Sequence, residues 1–362
     1  NDEDGNFKPL PFNFTRSTSG TRINKDGLIE VVTNNKPRID FKDDAKGALL
    51  LEPQSTNLIT YSEDFSNAAW DEGTGTIIEN VSISPDGTLS ADKFTSASTS
   101  SFAHLSQQKS ADASQSYTYS IWIKKVSGSG VLKLAISDVN LATSQGTTIN
   151  LTTEFVRYFY TISANNLSNT GLIGVGLGNL TSGDVIEVWG AQLEQLSYAT
   201  SYIPTQGSSV TRVADVCNQT PPSGIIGQTE LTVFYKGIVE RLGGNDGHAL
   251  SLSQSVDASG SSRILLYRNS GNGNMYVYVQ DSTTVFSTPL LVNSNPQIND
   301  KYAISIKDND LIVYCNGVKV AENNLGTIPA MQSVNLNRWN NQINEKNITQ
   351  EFKLYNTRLS NA

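Results

Sequence analysis

Hydrophobic and polar residues alternate along this chain in short runs, separated by clusters of Gly, Asn, Asp and Ser at roughly 8–12-residue spacing. That pattern predicts a sandwich or barrel of antiparallel strands, and sustained helical periodicity is almost absent. In Tyr117-Thr118-Tyr119-Ser120-Ile121-Trp122-Ile123 the period of two sets Tyr117, Tyr119, Ile121 and Ile123 on one face. Thr118, Ser120, Trp122 and Lys124 share the other, so Trp122 stands as the one large ring on a polar face. Further strands are predicted over Val131 to Ile136, Phe155 to Ile162, Val185 to Leu193, Leu231 to Tyr235, Arg263 to Tyr267, Met275 to Val279 and Glu351 to Tyr355. Tyr302 to Ile306 and Leu311 to Cys315 read as a hairpin, and Asn316-Gly317 supplies the next tight turn because both residues tolerate positive φ. Gly174, Gly176 and Gly178 fall on one face of a strand, where backbone or a ring can approach closely.

The breakers divide the 362 residues into three segments. Residues 1–60 carry Pro9, Pro11, Pro37 and Pro53, too many breakers for central strands, and are expected to form an irregular connector or docking arm. Residues 61–212 make one strand-rich block, closed by the loop from Pro204 to Ser209. Residues 213–362 make a second, introduced by Pro221-Pro222-Ser223-Gly224. The expected fold is therefore all-β, with two tandem antiparallel sandwiches of jelly-roll type behind an irregular arm.

Composition narrows the function classes. Only 17% of residues are charged, against about 25% in an average domain, and the formal net charge is −8. Nucleic acid and anionic membrane surfaces need clustered positive charge, so neither is expected as a partner. No apolar run approaches the roughly 20 residues that span a bilayer, so no membrane insertion is expected. The chain begins at Asn1 rather than Met, which points to a processed or trimmed product. Cys217 and Cys315 lack zinc-site spacing and read as small buried hydrophobes, with one long-range bridge as the alternative.

Three stretches carry a resemblance. Phe14-Thr15-Arg16-Ser17-Thr18, Asp26 to Glu30, Pro37-Arg38-Ile39-Asp40-Phe41 and Leu49 to Leu58 resemble the N-terminal signature of tailed-bacteriophage tail or head fibre proteins. The likeness continues into Tyr61-Ser62-Glu63-Asp64-Phe65 and Trp70. Asp86-Gly87-Thr88, Ala91 to Phe94, Tyr117 to Lys124, Trp189 to Glu194 and Ala199 to Thr205 resemble a jelly roll of carbohydrate-binding-module type. Lys301 to Ser305, Leu311 to Val318 and Phe352 to Ser360 resemble laminin-G or concanavalin-like sandwiches. The resemblance implies an extracellular virion-surface protein that binds host glycans and joins other virion proteins through the arm. A homo-oligomer, with a trimer as the common fibre case, goes with that setting.

Candidate chemistry follows. Sugar recognition stacks a ring on a pyranose and adds polar groups, so Trp122, Lys124 and Ser120 on one strand, with Arg157 and Phe159 on the next, form the expected glycan site. The resemblance favours Tyr158 and Tyr160 turned inward, leaving Arg157 and Phe159 outside. Against this, Trp122 would serve equally as packing under a loop or in a subunit contact. Jelly rolls of this kind often hold a structural Ca²⁺, which wants hard oxygen ligands, and Glu63, Asp64, Asp184 and Glu187 are the expected set. Solvated surface carboxylates are the alternative. Catalysis is not expected: there are only two histidines, His104 and His248, no nucleophile elbow, and no paired acids on the final block's strands. Two other readings remain: a purely structural or decorative virion component, and an accessory module of a secreted polysaccharide-degrading enzyme.

Overall fold

The computed structural model describes residues 12–97, 103–137, 145–164, 166, 171–240, 245–255, 262–280, 290–308, 310–324, 328–338, 342–343 and 345–359. Among these residues every regular element is a strand, paired antiparallel throughout. The chain divides into two compact units, and the division is discontinuous. Unit 1 comprises Asn1–Ser19, Val32–Gln54 and Val213–Ala362; unit 2 comprises Gly20–Val31 and Ser55–Arg212.

Unit 1 is built from two seven-stranded sheets. One runs edge to edge as Asn13–Thr15, Val216–Gln219, Ser333–Leu336, Gly247–Ser253, Arg263–Arg268, Met275–Gln280 and Leu290–Asn293. The other runs Val318–Asn323, Asp310–Cys315, Lys301–Lys307, Glu230–Glu240, Lys346–Tyr355, Ala48–Leu51 and Arg38–Asp40. Alternation turns Leu231, Val233 and Tyr235 from one sheet towards Leu250, Leu252, Ile264, Leu266 and Val277 from the other, closing a single core. The predicted hairpin forms with Tyr302 opposite Cys315 and Lys307 opposite Asp310. Asn316 and Gly317 take φ of 52° and 82°, the left-handed pair a two-residue turn demands. Both cysteine thiols are buried and free.

In unit 2 a five-stranded sheet runs Val156–Ile162, Tyr117–Ser127, Val185–Glu194, Leu89–Thr95 and Thr76–Ile83. It packs on a four-stranded sheet of Gly146–Asn150, Val131–Ser137, Gly171–Leu180 and Ala103–Ala111. Tyr119, Ile121 and Ile123 lie in the core with Leu132, Leu134, Val175, Leu177, Val188 and Leu193, as the alternation requires. Gly176 is where the expected close approach occurs, since a Cβ there would lie 2.1 Å from the Leu105 carbonyl oxygen. Nothing crowds Gly178.

Residues 12–57 are not an arm, which corrects the sequence expectation; residues 1–11 lie outside the described residues. Asn13–Thr15, Arg38–Asp40 and Ala48–Leu51 are strands of unit 1. Gly20–Ile23 pairs with Ile29–Val32 in a hairpin, and Ser55–Asn57 pairs with Val210–Arg212 in unit 2. The prolines misled because they bracket short strands rather than interrupt them: Pro37 immediately precedes Arg38, and Pro53 follows Leu51 by two residues.

Three polar residues of the fibre-like signature, Arg16, Arg38 and Glu52, have a structural role. Arg16, Arg38, Glu52 and Asp215 form a fully buried network in unit 1, with Arg16 Nη1 2.9 Å from Asp215 Oδ1 and Arg38 Nη1 2.8 Å from Glu52 Oε2. Arg38 also donates to the second Asp215 oxygen, and Arg16 donates to the Thr18 and Thr33 carbonyls at 2.9 Å. Burial opposes the Arg38 charge, but Glu52 and Asp215 more than offset it and push its pKa up. Removing one partner from such a set leaves an uncompensated buried charge, at a cost of about 3–5 kcal/mol. In unit 2 Asn57 acts likewise, its amide donating to the Ala191 and Ile203 carbonyls.

Candidate functional site

The strands Tyr117–Ser127 and Val156–Ile162 pair with Ser120 opposite Phe159 and Trp122 opposite Arg157. On the other side Ser120 faces Gln192, Trp122 faces Trp189 and Lys124 faces Glu187. The five residues expected to hold a sugar therefore lie on the same side of the sheet, but Ser120 is fully buried there. The Arg157 guanidinium lies 4.4 Å over the Trp122 ring, donating to Ser120 Oγ at 2.9 Å and to the Thr200 carbonyl at 2.6 Å. Lys124 pairs with Glu187 at 2.7 Å and sits 4.9 Å over the Phe155 ring. Tyr158 and Tyr160 pack against the core on the opposite face, while Phe159 is 61% exposed.

Trp122 is not the open platform that its polar neighbours suggest. Its ring meets Trp189 edge-on at 5.4 Å and Tyr202 at 5.5 Å, in a cluster that also holds Ile23, Ile29, Ala91 and Phe155. Ile23 and Ile29 come from the hairpin at Gly20–Ile23 and Ile29–Val32, anchored where Thr21 Oγ1 donates to the Tyr202 carbonyl at 2.6 Å and Ile29 N–H donates to Pro85. Gly190, at φ 65°, lets the indole close on the backbone, since a Cβ there would come within 2.9 Å of the ring. Large rings seek burial, and a covering element far back in sequence supplies it. The exposed ring of the set is Phe159.

The expected calcium ligands do not come together. Asp184 closes a turn, accepting from Ser129 N–H at 2.6 Å and Oγ at 3.1 Å and from Thr181 N–H at 2.8 Å and Oγ1 at 2.7 Å. Burial pushes its pKa up, and those four bonds outweigh it and hold the carboxyl below the usual range. Glu187 is taken by Lys124 and by the Ser82 hydroxyl. Among the described residues no three His, Cys, Asp or Glu side chains are arranged to hold a metal ion. The four residues expected to share the ion are thus not gathered at one point, since Asp184 and Glu187 are held by other partners.

Glu63 and Asp64 instead line a polar recess of about 450 Å³ with Glu79, Asp92, Asn80 and Tyr61. Burial raises the Glu63 pKa against the bond it accepts from the Tyr202 hydroxyl at 2.8 Å. Asp92 was missed as a site residue and works as a strut, accepting backbone N–H groups from Phe65 at 3.0 Å and Asn80 at 2.9 Å. Burial raises its pKa too, with Glu79 and Asp64 adding to the effect. A lone Asp between Ala91 and Lys93 in a strand was the only signal available.

No family model matches the sequence, and no curated protein matches it. Among solved structures, the Ruminococcus gnavus IT-sialidase CBM40 bound to α2,3-sialyllactose aligns over 37% of this chain and 80% of its own, at 12% identity and a TM-score of 0.31. The same CBM40 without that ligand in its description aligns over 38% and 80%, at 14% identity and a TM-score of 0.28. Likeness at that level carries no statement about a ligand, which has to come from the side chains described above.

Proposed function

We propose that the chain is a non-catalytic glycan-binding protein of a tailed-bacteriophage virion surface, and that Phe159 with Arg157 forms its saccharide contact, while buried Ser120 holds the arginine. The observation that carries this reading is the Phe159 ring, 61% exposed on the edge strand of the five-stranded sheet, opposite Ser120. Burying a Phe ring is worth about 1.5–3 kcal/mol relative to leaving it in water, so a rigid exposed ring is a ready stacking surface. Arg157 is pre-oriented by its bonds to Ser120 and Thr200, which lowers the ordering cost of meeting sugar hydroxyls. The virion setting rests on the sequence resemblance over residues 12–70. Because Arg16, Arg38 and Glu52 of the signature are spent inside unit 1, we do not assign them to attachment to other virion chains or to any trimer.

The competing reading is a structural virion component, favoured by the enclosure of Trp122. A glycan array and a host-cell adsorption assay separate the two. Phe159→Ala is expected to weaken binding about tenfold, or roughly 1.4 kcal/mol, with the melting temperature unchanged. Equal binding by the variant and the parent sinks the glycan reading at this face. An origin in a gene cluster without virion genes would favour the accessory-module alternative.

A further inference from the structure

Unit 1 carries a groove of about 960 Å³ on the outer face of its second sheet, floored by the strands Glu230–Glu240, Lys301–Lys307 and Asp310–Cys315. Its charged lining consists of Lys236 and Lys301, with no carboxylate, on a chain whose net charge is −8. From this groove we infer a second saccharide site, selective for carboxylated sugars.

The register puts Lys236 directly opposite Lys301. Like charges so placed, with Cβ atoms roughly 5 Å apart, destabilise a sheet. Among the described residues neither ammonium has an ion pair. The acids nearby are engaged at the rim: Glu351, opposite Lys236 on the far side, pairs with Lys353, and Asp44 accepts from Gln350 while feeling the Lys236 charge. An anion seated between the two lysines relieves their repulsion on the side away from Glu351, where the groove lining has no carboxylate.

The next row supplies the sugar surface. Phe234, Ala303 and Tyr314 lie opposite one another across three strands. With strands about 4.8 Å apart, the two rings stand roughly 10 Å from each other with only a methyl group between them, a trough one pyranose wide. Lys353 lies 5.5 Å from the Phe234 ring at the far edge. Residues two apart on a strand are about 6.7 Å apart, so a ring in the trough places a carboxylate at the lysine row. At that end Asn316 is locked, its Oδ1 accepting from Lys301 N–H at 2.9 Å and its Nδ2 donating to buried Asp300 at 2.7 Å, while Asn299 adds an amide at the rim.

Titration calorimetry on the full chain tests this site with trigalacturonate as the carboxylated probe, galactotriose as its neutral counterpart and inorganic phosphate as the bare anion. Trigalacturonate is expected to bind and galactotriose not to; Lys236→Gln with Lys301→Gln should weaken binding at least about tenfold without lowering the melting temperature. Ala303→Leu, which fills the trough and keeps both lysines, should also weaken it, whereas Phe159→Ala should leave it unchanged. The last variant separates failure of this site from failure of the Phe159 face. Absence of trigalacturonate binding, binding indifferent to the lysine pair or to Ala303→Leu, or phosphate competing as strongly as the saccharide would each overturn the inference.

Discussion

Trp122 in unit 2 and Phe234 in unit 1 hold matching positions with opposite fates. Each stands on the outer face of an antiparallel sheet beside a cation, Arg157 at 4.4 Å from the one ring and Lys353 at 5.5 Å from the other. Over Trp122 the face is closed by Trp189, Tyr202 and two isoleucines of a hairpin nearly a hundred residues earlier. Beside Phe234 the face falls away across Ala303 to Tyr314 and to two lysines without an ion pair among the described residues. Alternation tells which side of a strand a ring occupies, but whether that side is wet depends on what else the chain lays over it. An aromatic on a polar face is therefore weak evidence for a binding site until its cover is known.

The sharpest way to break the comparison is to remove the cover. Deleting residues 1–60 takes strands from sheets in both units, so no cooperative unfolding transition is expected for the truncated chain; a native-like transition by calorimetry would restore the arm reading. Trp122→Ala comes next. Trp122 is half-buried in an aromatic cluster, so its loss to Ala should cost up to about 3 kcal/mol, which in a unit of this size lowers its melting transition by at most about 9 °C. Phe234→Ala should cost less than about 1 kcal/mol, because its ring, also half-buried, belongs to no hydrophobic cluster among the described residues. Comparable losses for the two would erase the distinction.

A titration sharpens the contrast between the units. In unit 1 His248 stacks on Tyr267, which stacks on Tyr276, at centroid separations of 5.9 and 5.8 Å across three strands. Burial pushes the imidazole pKa down to about 4, with Asp246 opposing and Arg263 assisting. A depressed histidine pKa means that the unfolded chain takes up the proton first. Unit 1 should thus be fully stable above about pH 6.5 and lose up to about 3 kcal/mol as the pH falls to 4. Thermal melts from pH 7 to pH 4 should show that slope, and His248→Gln should flatten it. The smallest expected effect is Lys301→Gln, which removes the like-charge pair and should raise unit 1 stability by about 0.2–1 kcal/mol in low salt. A loss of stability would mean that Lys301 has a partner in the fold.

Strand content was legible because side chains on a strand alternate between two faces that carry different residue types, even where both faces are covered, as at Thr118 and Ser120. Tyr117 to Ile123, Val131 to Ile136 and the hairpin through Lys307 and Asp310 all lie within observed strands. The outward placement of Arg157 and Phe159 was legible only with the jelly-roll resemblance, since both faces of that strand carry rings. The roles of residues 12–57 were not legible. Their strands are three or four residues long, too short to show a period, and their partners lie up to about three hundred residues away. The calcium set failed for a related reason: sequence showed carboxylates near strand ends, while the partners that claim Asp184 and Glu187, Ser129, Thr181, Lys124 and Ser82, come together only in the fold.

By itself the sequence determined an all-β chain, which residues share a face of each long strand and its positive-φ turn at Asn316-Gly317, because these depend on interactions between near neighbours. Only the tertiary structure decided that the signature arginines are interior ties, that Trp122 is enclosed and that Lys236 faces Lys301. Each of those outcomes depends on long-range sheet register, in which a shift of one residue exchanges the buried and exposed faces of a strand.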